Sequence, residues 1–178
     1  MTGDSVPPET VVRGAVRHHS RSIAYTYTEP TIFIEYAYDI AVLARQAGLA
    51  NIYVTNGYMT PEMLDFFSPY LDAANVDLKS FRDDFYREQC GARLQPVLDS
   101  LKKMVQQGVW VEVTTLIIPG LNDGDAELGE IARFIAQELG PQVPWHISRF
   151  YPHYQMPDRP PTPVATLHRA REIGHTAG

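Results

Sequence analysis

Segments with the pattern of β-strands alternate with segments that have the pattern of α-helices along the whole chain. The predicted strands are 22–27, 51–55, 74–78, 109–118 and 145–150. Helical stripes or helix-capping residues separate them, such as the apolar stripe of 3.6-residue period over 32–44, which Gly48 ends. Because consecutive parallel strands need a crossover connection, usually a helix, this alternation predicts βα units around a parallel sheet.

Length and composition limit this α/β chain further. Its 178 residues favour one domain, 1–178, and are fewer than the about 250 residues of a complete (β/α)8 barrel. With 44% hydrophobic and 20% charged residues, the chain is not wholly disordered. Its one cysteine, Cys90, excludes an intramolecular disulfide framework and any zinc or iron–sulfur site built from several of its own thiolates. We expect Cys90 to be a small buried hydrophobic residue, and we expect no metal ligands in this chain.

Charge and targeting patterns exclude two classes of partner. The net charge of −6 argues against a protein that binds nucleic acid through contacts to its phosphates. The first residues have neither the basic nor the apolar segment of a signal peptide, and no apolar run approaches the ~20 residues of a membrane span. We therefore expect a soluble cytoplasmic protein without nucleic-acid or membrane partners.

Polar residues cluster where the predicted strands end, which is the edge at which parallel α/β sheets bind ligands. The candidate residues are Thr28, Glu29, Pro30, Thr55, Asn56, Gly57, Asp77, Lys79, Pro119, Gly120 and His146. Structural roles remain open for each: Glu29 beside a helix start, Asn56 and Gly57 as a turn, Asp77 as a helix cap. Lys79 is alternatively a solvated side chain, and His146 a core histidine. Their shared location favours a polar, zwitterionic small molecule as ligand.

Several motifs at and near these positions resemble those of a known enzyme family. The segments YTYTEPT (25–31), YVTNG (53–57), VDLK (76–79) and IPGLND (118–123) resemble the radical S-adenosylmethionine (SAM) enzymes of the pyruvate formate-lyase activating enzyme type. The later runs WHISRFYP (145–152) and PPTP (160–163) resemble the branch called AmmeMemoRadiSam. The resemblance covers essentially the whole chain and keeps the order and spacing of the motifs.

The resemblance implies a fold and a chemistry. The fold is a partial (β/α)6 barrel of the TIM type with about five parallel strands, in which the family's first strand and C-terminal tail are missing. In the family a C-x-x-x-C-x-x-C loop binds a [4Fe–4S] cluster, which reduces SAM to give a 5′-deoxyadenosyl radical that abstracts hydrogen from a substrate. The family's activating members act on a glycine of a partner protein, and this sequence does not identify such a protein substrate.

The resemblance also implies roles for the candidate residues in binding SAM. Thr28–Pro30 resembles the motif that holds the methionyl ammonium, and Thr55–Gly57 the motif that lines the same pocket. Asp77 and Lys79 match positions that contact the ribose and the methionyl carboxylate.

Two further motifs complete this expected pocket. Pro119 and Gly120 match positions beside the adenine, and His146 a position near the ribose or the substrate.

One departure from the family decides what this chain can do alone. It has no C-x-x-x-C-x-x-C motif, so we expect it to be inactive in reductive cleavage without the cluster cysteines. The leading hypothesis is the core of a radical SAM enzyme, of oxidoreductase or activating-enzyme type, in a truncated chain. The alternative is a cluster-less, non-catalytic binding or interaction module on the same fold. A third hypothesis is a lyase in which Lys79 forms a Schiff base.

Overall fold

The computed structural model describes residues 5–178. Within them, five strands form one parallel sheet in the order β1-β2-β3-β4-β5. The strands are β1 (Ser22–Tyr25), β2 (Ala50–Thr55), β3 (Ala73–Asp77), β4 (Trp110–Ile117) and β5 (Trp145–Arg149). The predicted parallel sheet of about five strands with flanking helices is confirmed, and strand order follows chain order as in part of a barrel.

Helices connect the strands as the sequence pattern predicts. They are α1 (Pro8–Arg17), α2 (Ile34–Gln46), α3 (Pro61–Phe67), α4 (Asp83–Phe85), α5 (Leu94–Gln106), α6 (Asp125–Phe134) and α7 (Val164–Ala177). Short 3₁₀ turns precede α2 and follow α3, and π-helical turns extend α4 to Cys90 and α6 to Leu139. The start of α3 is an example of how the local sequence sets these bounds. The Thr60 hydroxyl caps the helix by accepting a hydrogen bond from the Met63 amide at 3.2 Å, and Pro61 occupies the first helical position.

The two faces of the sheet differ in burial. One face packs against α2, α5 and α7, and its side chains, such as Tyr53, Val76 and Val113, are fully buried. Alternate residues point to the opposite face, where Val54 and Leu116 are each 40% exposed. We call this second surface the open face. It carries polar side chains in the middle of the sheet, where a parallel sheet covered on both sides would carry apolar ones.

Three details differ from the sequence prediction or fall outside the structure. Cys90 is exposed rather than buried, because it lies at the last position of the π-turn and the chain reverses at Gly91, whose φ is +63°. Strand β1 ends at Tyr25, whose register partner is Tyr53, and not at residue 27. The start of the chain was predicted to hold no signal peptide, and residues 1–4 of that segment lie outside the described ones. No helix within residues 5–178 has the length and apolar content needed to cross a lipid bilayer.

Candidate ligand site at the carboxyl edge of the sheet

Strand register brings the candidate residues to one region. Asp77 of β3 pairs with Thr114 of β4, which pairs with His146 of β5. His146 therefore lies level with Asp77, although it is only the second residue of its strand. The Asn56 position directly follows β2, whose last residue Thr55 pairs with Val76, so it lies beside the same level.

Glu29 joins two of the predicted motifs through its carboxylate. Its Oε1 atom accepts hydrogen bonds from the Thr31 hydroxyl at 3.0 Å and the Thr55 hydroxyl at 2.7 Å. Its Oε2 atom accepts one from the Asn56 amide at 2.8 Å. Since a carboxylate oxygen can accept two hydrogen bonds, Oε2 retains capacity for one more donor, whereas Oε1 is fully used. Pro30 follows as a buried residue that starts the 3₁₀ turn.

The turn after β2 has a conformation that depends on glycine. The Asn56 side chain accepts a hydrogen bond from the Tyr58 amide at 2.8 Å, and the Gly57 amide donates to the Thr55 hydroxyl at 3.1 Å. Gly57 has φ of +71°, and a Cβ atom there would lie 2.6 Å from Cγ1 of Val76. The turn thus holds the Asn56 amide against Glu29, and no larger residue fits at position 57.

Asp77 and Lys79 form a half-exposed ion pair after β3. The Lys79 ammonium lies 2.8 Å from Oδ2 of Asp77. The Lys79 amide donates to the Tyr86 hydroxyl at 3.0 Å, and burial raises the pKa of Tyr86, so that hydroxyl stays neutral. The ion pair presents one cation and one anion to solvent.

Pro119 and Gly120 lie where the loop after β4 meets the loop after β5. The Pro119 carbonyl accepts from the Arg159 guanidinium at 2.9 Å, and the Gly120 amide donates to the Asp123 carboxylate at 2.9 Å. Gly120 has φ of +72°. The contact with Arg159 brings the 151–163 loop back over the end of the sheet.

Two buried polar residues that support this edge were not predicted from the sequence. Asn122 is fully buried; its amide donates to the carbonyls of Lys79 at 2.6 Å and Leu116 at 2.9 Å, and its oxygen accepts from the Ile118 amide at 2.6 Å. It thereby connects the loops after β3 and β4. Its place in the IPGLND motif was the available signal, but only Pro119 and Gly120 of that motif were named as candidates.

Thr162 has the same role on the next strand pair. Its hydroxyl donates to the Ile117 carbonyl at 2.6 Å and accepts from the Phe150 amide at 3.0 Å. The side chain is fully buried, so the PPTP motif anchors the loop after β5 to the end of β4.

His146 makes a contact on the open face that the sequence did not indicate. Its Nε2 atom lies 2.7 Å from Oε2 of Glu112, and the Trp110 indole N–H donates to Oε1 of Glu112 at 3.2 Å. The hydrogen bond from His146 holds the pKa of Glu112 below its ordinary value. The imidazole is half exposed, so His146 is not the core histidine of the structural alternative.

These groups suit a zwitterionic ligand better than a metal ion. A carboxylate with a free acceptor position, an exposed ion pair and several backbone amides can bind an ammonium, a carboxylate and hydroxyl groups. Within residues 5–178 no three His, Cys, Asp or Glu side chains lie close enough together to hold a metal ion.

Comparison with known proteins places this architecture in a family. The family model for the radical SAM superfamily matches residues 2–135. The uncharacterized protein MJ0808 of Methanocaldococcus jannaschii is 44% identical over 171 residues, which are 96% of this chain and 50% of that protein. The isethionate sulfite-lyase activating enzyme of Nitratidesulfovibrio vulgaris is 29% identical over 121 residues, 64% of this chain and 39% of the enzyme. The chain thus spans about half the length, or less, of these curated relatives.

Solved structures share the fold. A domain of the pyruvate-formate lyase-activating enzyme from Bacteroides vulgatus superposes with a TM-score of 0.74 at 17% identity, covering 88% of this chain and 94% of that domain. SuiB of Streptococcus suis, solved with S-adenosylmethionine bound, superposes with a TM-score of 0.75 at 12% identity, covering 97% of this chain and 40% of SuiB. At these identities the structures establish a common fold. The family model, which matches residues 2–135, shows that this chain belongs to the radical SAM superfamily.

Proposed function

We propose that the carboxyl edge of the sheet binds S-adenosylmethionine. Glu29 receives the methionyl ammonium at its free acceptor position, and the turn at Thr55–Gly57 lines the same part of the pocket. Lys79 receives the methionyl carboxylate and Asp77 a ribose hydroxyl. Pro119 and Gly120 lie beside the adenine, and His146 faces the ribose or the substrate.

One observation carries this proposal: Glu29 from one motif, and Asp77 and Lys79 from another, project from the same edge of the sheet with acceptor or donor capacity left. The ammonium and the carboxylate of the methionyl group then each find an opposite charge. Family membership supports SAM as the ligand, and so does the fold shared with SuiB, which was solved with SAM bound.

The [4Fe–4S] cluster of the family does not fit the residues of this chain. Such a cluster takes three thiolates from the C-x-x-x-C-x-x-C loop of these enzymes, and the 178 residues contain one cysteine, which is exposed and follows α4. We therefore propose that radical formation takes place only in a protein where additional sequence supplies the thiolates. In that protein the cluster would supply the electron that cleaves SAM, and the edge described above would hold the SAM molecule.

A second function is favoured by the same cysteine count. A chain that binds SAM but provides no cluster ligands is a binding or interaction module, and the two functions make different predictions for the cysteine-containing protein. Only the enzyme releases 5′-deoxyadenosine from SAM under anaerobic reduction. If a protein substrate exists, its identity is a further proposal: SuiB was solved with a precursor peptide, and an activating enzyme is among the relatives.

Isothermal titration of the 178-residue chain with SAM tests the binding site. We expect Asp77→Asn and Lys79→Met each to weaken binding about 10- to 150-fold, the range for a lost hydrogen bond to a charged group. Asp99→Asn is the matched control, because Asp99 is an exposed carboxylate on α5 that bonds to Gln95. SAM binding that neither Asp77→Asn nor Lys79→Met weakens relative to the control would refute the site. Absence of SAM binding to the wild-type chain would refute the function.

A further inference from the structure

Glu112 carries no role in the proposed SAM site, yet both of its carboxylate oxygens are engaged on the open face. Trp110 donates to its Oε1 atom at 3.2 Å, and His146 lies 2.7 Å from its Oε2 atom. The hydrogen bonds from His146 and then Trp110 are the main causes that lower the pKa of Glu112. The residue is therefore an ionised acceptor at neutral pH, held in place by donors from β4 and β5.

An ionised carboxylate fixes the tautomer of the histidine that touches it. Since the Glu112 oxygens can only accept hydrogen bonds, Nε2 of His146 must carry a proton and donate. In the neutral imidazole the other nitrogen, Nδ1, then has a lone pair. Among residues 5–178, no hydrogen bond engages Nδ1.

The residues around Glu112 and His146 determine which hydrogen-bond partners Nδ1 of His146 can have. Thr114, in register with His146, donates its hydroxyl to Asn75 at 2.8 Å. Asp77, which lies level with His146 two strands away, forms an ion pair with Lys79. His146 thus presents one unengaged acceptor at the level of Asp77.

We propose that Glu112 is a positioning residue, which holds His146 in the Nε2–H tautomer so that Nδ1 accepts a hydrogen bond from a ribose hydroxyl of bound SAM. This inference rests on the proposed function for its ligand, but the tautomer follows from the contacts of Glu112 alone. Glu112 does not touch the ligand and acts only through His146.

The first test is the tautomer, read from ¹⁵N chemical shifts of the His146 ring above the pH at which imidazole titrates. We expect a protonated Nε2 and an unprotonated Nδ1 in the wild-type chain. In Glu112→Gln the amide oxygen is retained by the Trp110 donor and the NH₂ group faces His146, so we expect the proton to move to Nδ1. Wild-type protein with the proton on Nδ1, or a Glu112→Gln variant with the wild-type tautomer, would overturn the proposal.

The second test is the affinity for SAM and for its 2′-deoxy and 3′-deoxy analogues. Glu112→Leu, which offers His146 no acceptor, is expected to weaken SAM binding about 3- to 10-fold, the range for one hydrogen bond. The same substitution should not further weaken the binding of the deoxy analogue that lacks the contacted hydroxyl. Glu172→Leu is the control, since Glu172 is exposed on α7, on the other side of the sheet.

The outcomes separate this inference from the proposed function. Full SAM affinity in Glu112→Leu would overturn the hydroxyl contact while leaving the SAM site intact. A wild-type chain that does not bind SAM would refute the proposed function and with it the ribose contact, and the tautomer measurement would still decide whether Glu112 positions His146.

Discussion

Replacing Gly57 with alanine tests whether the turn after β2 is as tightly specified as its geometry indicates. At φ of +71° the left-handed backbone conformation lowers the free energy of unfolding of an alanine variant by roughly 1–2 kcal/mol. The smaller conformational entropy of its unfolded chain offsets about 0.4–1 kcal/mol of this loss. Its Cβ atom would also lie 2.6 Å from Val76 Cγ1 and 3.2 Å from Val97 Cγ1. Because both valines are fully buried, this overpacking adds about 1–3 kcal/mol.

The chain contains a matched control for the steric contribution. Gly48 has nearly the same φ, +75°, but a Cβ atom there meets nothing within 4 Å. Gly48→Ala should therefore cost about 1 kcal/mol and Gly57→Ala about 2–4 kcal/mol. With a urea slope of about 2 kcal/mol/M, the unfolding midpoint falls by about 0.5 M for the first variant and about 1–2 M for the second.

Urea unfolding followed by circular dichroism measures both midpoints under the same conditions. Adding Val76→Ala to Gly57→Ala removes the nearest contact, so the two substitutions should cost less together than the sum of their separate costs. Equal midpoints for the two glycine variants, or simple additivity with Val76→Ala, would refute the argument that packing specifies this turn.

Three further predictions concern the other contacts at this edge. Asn122→Ala leaves two part-buried carbonyls and one buried amide without their side-chain partner, so we expect a loss of about 2–4 kcal/mol in the free energy of unfolding. A loss below about 1 kcal/mol would contradict the role of Asn122 between the loops. Thr162→Val should cost about 1–3 kcal/mol and speed proteolysis within 151–163, whereas unchanged cleavage rates would show that another contact holds that loop. His146→Phe should raise the pKa of Glu112 toward its ordinary value in a ¹³C carboxyl titration, because the bond from His146 is the largest cause of the lowering. Because the pKa of Glu112 is lowered in the folded protein, its ionised form stabilises the wild-type fold above the ordinary glutamate pKa. This stabilisation is lost as the pH falls through the lowered pKa of Glu112. An unchanged Glu112 pKa in His146→Phe would contradict the conclusion that His146 lowers it.

The sheet and its order of elements could be predicted because they depend on local periodicity. Residues 109–118 alternate apolar and polar side chains, and β4 forms there with Val111 and Val113 buried. The edge of the sheet at which the candidates gather followed from the direction of the strands. The AmmeMemoRadiSam branch and the roles of the individual site residues remain predictions.

The contacts that hold the site together could not be predicted, because they depend on register and on backbone groups far along the chain. Asn122 bonds to the carbonyl of Lys79, 43 residues away, and no local pattern indicates such a partner. Glu112 and His146 meet only because β5 is shifted so that its second residue lies level with the end of β3. Cys90 was wrongly placed in the core because its sequence neighbourhood does not reveal that the chain turns at Gly91.

The central claim is that this chain binds SAM at the carboxyl edge of its sheet. The most direct measurement is a two-dimensional ¹H–¹⁵N NMR titration of the 178-residue chain with SAM, with the shifted amides mapped onto the structure. We predict that the largest shifts lie at 28–31, 55–58, 77–80 and 118–122, and that Asp77→Asn reduces them at equal SAM concentration. Shifts confined to the helices on the opposite face, or no shifts at saturating SAM, would contradict the account.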